Sequence, residues 1–117
     1  MEKQIIEFDL PIKVSTNAFY SGTHWASRKK YKDILAWGML PVIAKILPIK
    51  KCFMEFEFEF KSKPLDCDNC GILVKLIIDN LRHHNKIKDD TPNYIESIKI
   101  TSRKGLKDSV RIIIMDN

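Results

Sequence analysis

The amino-acid sequence predicts a single small α/β domain with a mixed β-sheet, whose elements follow the order β-α-β-α-β-β. Alternating apolar and charged residues from Cys52 to Phe60 indicate a strand with one buried face. Apolar residues at helical spacing follow between Ile72 and Leu81, and two isoleucine-rich strands at residues 94–101 and 109–115 end the chain. Residues 1–117 fit one domain, and chains of this size often gain stability by pairing, so we expect a homodimer.

The first half of the chain predicts a strand, a loop and a helix. Residues Ile5–Leu10 form a short apolar strand. Residues 15–22 combine turn residues with aromatic side chains and predict a loop. Apolar residues recur with helical spacing from Trp25 to Leu47, and Gly38 and Pro41 predict a kink, or a break into two helices, near residue 40.

The pattern of residues in the second half of the sequence predicts a helix and a hairpin after the central strand. Asp68 or Asn69 can cap the helix that runs through Leu81. The last two strands are separated by residues 103–107, a hairpin turn in which Gly105 is available for a positive φ.

The bulk composition is that of a basic, folded protein. Twenty Lys and Arg against fifteen Asp and Glu give a net charge of +5, which favours an anionic partner such as nucleic acid. No apolar run approaches the roughly 18 residues of a membrane span, and the N-terminus shows no targeting pattern, so we expect no membrane partner. Three cysteines, an odd number, argue against a disulfide framework and indicate a cytoplasmic protein.

Acidic residues are nevertheless concentrated around the predicted helix. Asp66 and Asp68 are two residues apart, so in an extended chain their side chains project from the same side, and Asp90 could join them from the loop beyond the helix. Carboxylates are the ligands that Mg²⁺ prefers, together with water and substrate phosphate. Lys75 and Asp79 lie four residues apart on one helical face, which suits either a surface ion pair or a lysine that stabilises phosphate charge.

A zinc site is the rival interpretation of the same segment. Cys67, Cys70 and His83 match the spacing of the first three ligands of a two-Cys, two-His finger. His84 directly follows His83, and neighbouring residues cannot point from one face of a helix. The pattern therefore favours magnesium.

Taken together, the motifs resemble the RusA family of Holliday junction resolvases. The similar positions, which run along most of the chain, are Asn17 and Tyr20 after the first strand, the signature Asp66, Asp68 and Asn69, the helix positions Lys75, Asp79 and Leu81, and the pair Asp89 and Asp90.

The resemblance implies a small dimeric endonuclease that uses Mg²⁺, or Mn²⁺ in its place, to resolve four-way DNA junctions by paired symmetric nicks. It implies that Asp66, Asp68 and Asp90 bind metal and act in catalysis, with Lys75 as a catalytic lysine. Asn17, Asn69, Asp79 and Asp89 would be supporting residues. Lys75 follows Asn69 by six residues rather than the three of a shorter motif, a change of roughly 60° around the helix axis.

Basic residues in two segments are candidate contacts to the DNA backbone: Arg28, Lys29, Lys30 and Lys32, together with Arg103, Lys104 and Lys107. Two alternatives stay open. The chain could be a non-catalytic nucleic-acid-binding module, or a nuclease that acts on other branched DNA.

Overall fold

The computed structural model describes residues 3–21 and 25–116, with the backbone alone at residues 25 and 26. A four-stranded mixed sheet carries the helices on one face. The elements are β1 (Lys3–Asp9), α1 (Thr16–Tyr20), α2 (Trp25–Ile43), β2 (Cys52–Phe60), a 3-10 turn (Cys67–Cys70), α3 (Gly71–His83), β3 (Ile95–Lys104) and β4 (Ser109–Asp116).

The strand order in the sheet is β1-β4-β2-β3. β2 runs parallel to β3, whereas β4 is antiparallel to both β1 and β2, so the predicted mixed sheet is confirmed. The predicted alternation along β2 is also confirmed, because all five of its inward positions are buried and Glu55, Glu57 and Glu59 line the outer face. On the inner face, α3 contributes a fully buried row that includes Leu73, Ile77 and Leu81.

A short helix, α1, replaces much of the loop predicted at residues 15–22. The Ser15 hydroxyl caps it by accepting the Ala18 N–H at 3.0 Å, which is the usual function of serine at this position. Phe19 anchors the helix, because its ring is buried and packs against Tyr31 of α2. Gly22, the end of the predicted loop, lies outside the described residues.

One helix, α2, runs from Trp25 to Ile43, so the predicted break near residue 40 is absent and the predicted end at Leu47 is wrong. Pro41 lies in the last turn, where its missing N–H removes only one intrahelical hydrogen bond. Among the helices that the structure describes, none combines the length and apolar character that crossing a membrane requires.

The predicted β3–β4 hairpin is wrong, because β2 lies between these two strands and hydrogen-bonds to both. Their connection crosses the end of β2, where Gly105 donates its N–H to the Phe60 carbonyl at 2.9 Å. Gly105 does not take the predicted positive φ. Its lack of a side chain matters for another reason, since a Cβ there would lie 2.8 Å from the Cβ of Glu59.

Candidate metal and nucleic-acid site

Asp66 and Asp68 lie at the 3-10 turn that leads from β2 into α3. The Asp66 carbonyl accepts the N–H groups of Asn69 at 2.9 Å and Cys70 at 3.2 Å, which shapes the turn. Both aspartate side chains are exposed, and within the described part of the chain neither carboxylate forms an ion pair. The turn therefore presents two free carboxylates at the positive end of the α3 dipole.

The N-terminus of α3 is capped by a residue distant in sequence. The first residue before the helix is Cys70, which makes no side-chain cap, so the predicted cap by Asp68 or Asn69 is wrong. Instead, the Thr16 hydroxyl accepts the Ile72 N–H at 3.1 Å and donates to the Asn69 carbonyl at 3.3 Å. Sequence reasoning missed Thr16, because nothing local connects it with a helix that begins more than fifty residues later.

Two predicted supporting residues, Asn17 and Asn69, are in contact. The Asn17 N–H donates to the side-chain oxygen of Asn69 at 3.5 Å. The contact holds α1 against the 3-10 turn, so the loop that carries Asp68 is fastened by the segment after β1.

Lys75 lies one turn into α3, on an exposed face. Its ammonium is 3.9 Å from the Asp79 carboxylate, so the two side chains share a helical face and form the surface ion pair that is one of the two interpretations of their spacing. Lys75 also lines a groove of about 420 Å³ between α3 and β3, together with Asp90 and several isoleucines. The groove brings Lys75 and Asp90 to one surface.

Arg82 gathers three carboxylates near the C-terminal end of α3. Its guanidinium is 3.6 Å from Asp79, 3.8 Å from Asp89 and 3.7 Å from Asp90. Asp89 also accepts the Asp90 N–H at 2.8 Å, which fixes the conformation of this pair. Sequence reasoning did not single out Arg82, although its position three residues after Asp79 predicts the first of these contacts.

The predicted set of Asp66, Asp68 and Asp90 does not assemble in one chain. Among the described residues, no three His, Cys, Asp or Glu side chains are grouped closely enough to hold a metal ion. The reason is topological: Asp66 and Asp68 precede the first turn of α3, whereas Asp90 contacts Arg82 in its last turn. One chain therefore does not fit the expected three-carboxylate magnesium site.

The cysteine and histidine residues are also divided between the two ends of α3. Cys70 precedes the helix, whereas His83 lies in its last turn and His84 follows it. Cys70 is fully buried, and burial raises the pKa of its thiol to about 11. The residues of the zinc interpretation are therefore separated by the length of α3.

The four basic residues of α2 have different surroundings. Arg28 stacks against the rings of Phe19 and Tyr20, and Lys29 pairs with Asp33 at 3.4 Å. Lys30 and Lys32 are exposed and, like Arg28, form no ion pair with a described residue.

The second basic group is largely neutralised. Arg103 pairs with Glu57 and Glu59 on the outer face of the sheet, and Lys107 lies 2.7 Å from Asp9. Lys104, at the end of β3, is exposed and has no ion-pair partner among the described residues. Among the seven candidate DNA contacts, Lys30, Lys32 and Lys104 are therefore the exposed cations without an ion-pair partner in the described structure.

The chain matches no protein-family model. No curated protein matches its sequence either. The resemblance to RusA resolvases thus depends on the motifs alone, and the function that it implies is a proposal.

Proposed function

We propose that the protein is a Mg²⁺-dependent endodeoxyribonuclease that acts as a homodimer and resolves four-way DNA junctions by paired symmetric nicks. Mn²⁺ is the expected substitute. The observation that carries the proposal is the pair of exposed carboxylates of Asp66 and Asp68, just before α3, which form no ion pair with any described residue. Carboxylates without a cation partner are suited to bind a metal ion that in turn faces phosphate.

Lys75 supplies a positive charge in the second turn of α3, seven residues after Asp68. Its pairing with Asp79 is long and exposed, and such pairs contribute about 0–1 kcal/mol, so the ammonium can turn towards phosphate at little cost. A fixed cation near a phosphodiester stabilises the charge that develops during cleavage. This supports the proposed catalytic function of Lys75, which binds and orients the phosphate.

Among the basic residues of α2, Arg28 is connected to the segment that carries the carboxylates, whereas Lys32 lies beside Asp79 and His83 of α3. Arg28 contacts α1 through Tyr20, and α1 in turn contacts the 3-10 turn through Thr16 and Asn69. Lys30 and Lys32 belong to the same helical segment, and their contacts to the DNA backbone would position a strand without reading its sequence. The two-fold symmetry of a homodimer matches the symmetry of a four-way junction.

The first experiment compares substrates. The purified protein is incubated with a four-way junction, a fork and a duplex, in Mg²⁺ and in chelator. We expect paired nicks on the junction in Mg²⁺ only. Nicks on the fork instead would identify a nuclease for other branched DNA, and binding without cleavage would identify a nucleic-acid-binding module.

The second experiment tests the carboxylate. Asp68→Asn is expected to abolish cleavage and to retain junction binding, because the substitution removes one charge without changing the shape of the side chain. Glu55→Gln is the matched control, since Glu55 lies on the outer face of the sheet and should not affect cleavage. Cleavage by Asp68→Asn at the wild-type rate would contradict the assignment.

A further inference from the structure

Two of the three cysteines lie at the two ends of the 3-10 turn. Cys67 is the first residue of this turn and Cys70 is the last. Side chains at this spacing lie above one another on a 3-10 helix, whose rise of about 2 Å per residue places their Cα atoms about 6 Å apart. Disulfides join Cα atoms that are about 4.4–6.8 Å apart, so the backbone of the turn suits a bond between these two cysteines.

Both thiols contact the same stretch of β3. The Cys67 thiol donates to the Ile100 carbonyl at 3.6 Å, and the Cys70 thiol shares a hydrogen bond with Ser102. The Ser102 hydroxyl also donates to the Leu65 carbonyl, which ties the segment before the turn to this strand. The contacts hold both sulfur atoms on the side of the turn that faces β3.

A negative charge on one sulfur changes the pKa of the other. Burial raises the pKa of Cys70, the hydrogen bond with Ser102 lowers it, and a charge on Cys67 raises it again. The interaction between charges falls with distance, so this effect agrees with sulfur atoms that are near each other. Cys52 has no such relation to the turn, because it begins β2, and this nine-residue strand extends roughly 25 Å before the turn is reached.

The two thiols differ in their access to solvent. Cys67 is exposed, whereas Cys70 is fully buried. A reagent in solution therefore reaches Cys67 first, and Cys70 reacts with a sulfur that is already bound at the turn. An accessible thiol beside a second thiol that can displace its adduct is the usual arrangement of redox-sensing cysteines.

We propose that Cys67 and Cys70 are a thiol–disulfide modification site, at which a small-molecule disulfide converts them into an intramolecular disulfide that weakens metal binding by Asp66 and Asp68. The effect on metal binding rests on the proposed function, whereas the formation of the disulfide does not.

The modification consists of two exchange steps. The Cys67 thiolate attacks one sulfur of the small disulfide and expels a small thiolate, which takes up the proton that Cys67 lost. The Cys70 thiolate then attacks the Cys67 sulfur and expels the second small thiolate, which takes up the proton of Cys70. The two protein sulfurs lose two electrons in total, and the small disulfide gains them. Because burial raises the pKa of Cys70 to about 11, the second step is the slower one.

Closing the disulfide changes the turn that carries the carboxylates. The Cys67 sulfur must leave the Ile100 carbonyl to bond with Cys70, and Asp66 and Asp68 are the neighbours of Cys67 in the chain. Changes in the groups that orient metal ligands typically lower metal affinity about 10–100-fold. We therefore expect the oxidised chain to bind Mn²⁺ at least about tenfold more weakly than the reduced chain.

The first experiment counts thiols. The reduced protein is incubated for hours with hydroxyethyl disulfide, a neutral reagent that the carboxylates of Asp66 and Asp68 do not repel. Free thiols are then alkylated in denaturant, and the intact mass is measured. We expect one free thiol, no bound hydroxyethyl group, and recovery of all three thiols with dithiothreitol. Three free thiols, or an adduct that persists, would overturn the proposal.

Variants of each cysteine assign the bond. Cys70→Ala should keep one hydroxyethyl group, because the thiol that displaces it is missing. Cys67→Ala should keep its two buried thiols unmodified, and it replaces an exposed residue, so it gives a result even if a buried variant does not fold. Cys52→Ala is the matched control and should form the disulfide as the wild type does. A disulfide in Cys67→Ala would contradict the assignment.

Electron paramagnetic resonance of Mn²⁺ tests the effect on metal binding. Weaker binding by the oxidised wild type, with no change in Cys67→Ala after the same treatment, supports the proposal. Equal binding by the oxidised and reduced wild type overturns it.

Cleavage of a four-way junction separates this proposal from the nuclease. If the disulfide forms and weakens Mn²⁺ binding but the reduced chain cleaves no junction, the proposed nuclease fails alone. If the reduced chain cleaves junctions in Mg²⁺ but no disulfide forms, the modification site is overturned and the nuclease stands.

Discussion

The two ends of α3 are built in different ways. At the N-terminal end, the side-chain cap comes from Thr16 of α1, and Asp66 and Asp68 face solvent without an ion-pair partner in the described structure. At the C-terminal end, Asn85 takes a positive φ of 58° and Lys86 donates its N–H to the Leu81 carbonyl at 2.8 Å. Asparagine tolerates this left-handed conformation, so local sequence ends the helix there.

The two ends of α3 also differ in how far their carboxylates are neutralised. Three carboxylates surround Arg82 at the C-terminal end, and this side chain already neutralises part of their charge. At the N-terminal end, no described side chain forms an ion pair with the two carboxylates. The positive end of the helix dipole is weak and screened, so it does not take the place of an external cation. The contacts of Arg82 give the C-terminal cluster a structural function within a single chain, and the absence of such contacts at the N-terminal pair, among the described residues, supports the proposed metal binding there.

Three measurements test this comparison. The largest expected effect is a loss of folding stability at high pH. Burial raises the pKa of Cys70 from 9.0 to about 11, so the folded chain keeps a proton that the unfolded chain has lost. This contribution to stability is complete below pH 9 and disappears as the pH rises towards 11. One pKa unit corresponds to about 1.4 kcal/mol.

Denaturant unfolding across this pH range measures the effect. Cys70→Ala should lessen the loss of stability with pH. The substitution should not abolish this loss of stability, because burial also raises the pKa of Cys52 to about 11. Cys67→Ala is the control, since this thiol is exposed and is a smaller cause of the raised Cys70 pKa than burial, so it should change the pH dependence less than Cys70→Ala. Identical pH dependence in the Cys70 and Cys67 variants would contradict the assignment.

The second-largest expected effect concerns the cap that Thr16 provides to the N-terminus of α3. Thr16→Val keeps the shape of the side chain but removes the hydroxyl that accepts the Ile72 N–H, and should lower the free energy of unfolding by about 1 kcal/mol. Urea unfolding measures it. Thr91→Val, at an exposed loop position, should cost less than about 0.5 kcal/mol. Equal losses would mean that Thr16 does not cap α3.

The smallest effect concerns Arg82. Arg82→Met removes a guanidinium that contacts three exposed or half-exposed carboxylates, so we expect a loss of about 0.5–1 kcal/mol at low salt. Lys29→Met removes a single pair with Asp33 and should cost less. Molar NaCl should reduce both losses, because it screens exposed charges. A loss at Arg82 that persists in high salt would indicate a packing contribution instead.

Local patterns in the sequence predicted the elements whose signals are local. The alternation along β2 and the apolar spacing of α3 each identify a buried face, because a period of two or 3.6 places like residues together. The predicted pairing of Lys75 with Asp79 follows from the same geometry. Serine at position 15 could have revealed α1, since Ser15 caps it.

Contacts between residues that are distant in sequence could not be predicted from these local patterns. The β3–β4 hairpin was the natural expectation for two strands joined by a short connection, yet β2 occupies the place between them. The cap from Thr16 and the carboxylate cluster around Arg82 depend on segments that meet only after the chain has folded.

Side-chain type and spacing along the chain directly encode the α/β class, the buried face of the central strand and the identity of the candidate residues. Which of those residues meet depends on how the chain folds. The parallel arrangement of β2 and β3 carries the chain along α3, which separates Asp90 from Asp66 and Asp68. Spacing along a chain does not reveal that separation, since it depends on the direction in which each strand enters the sheet.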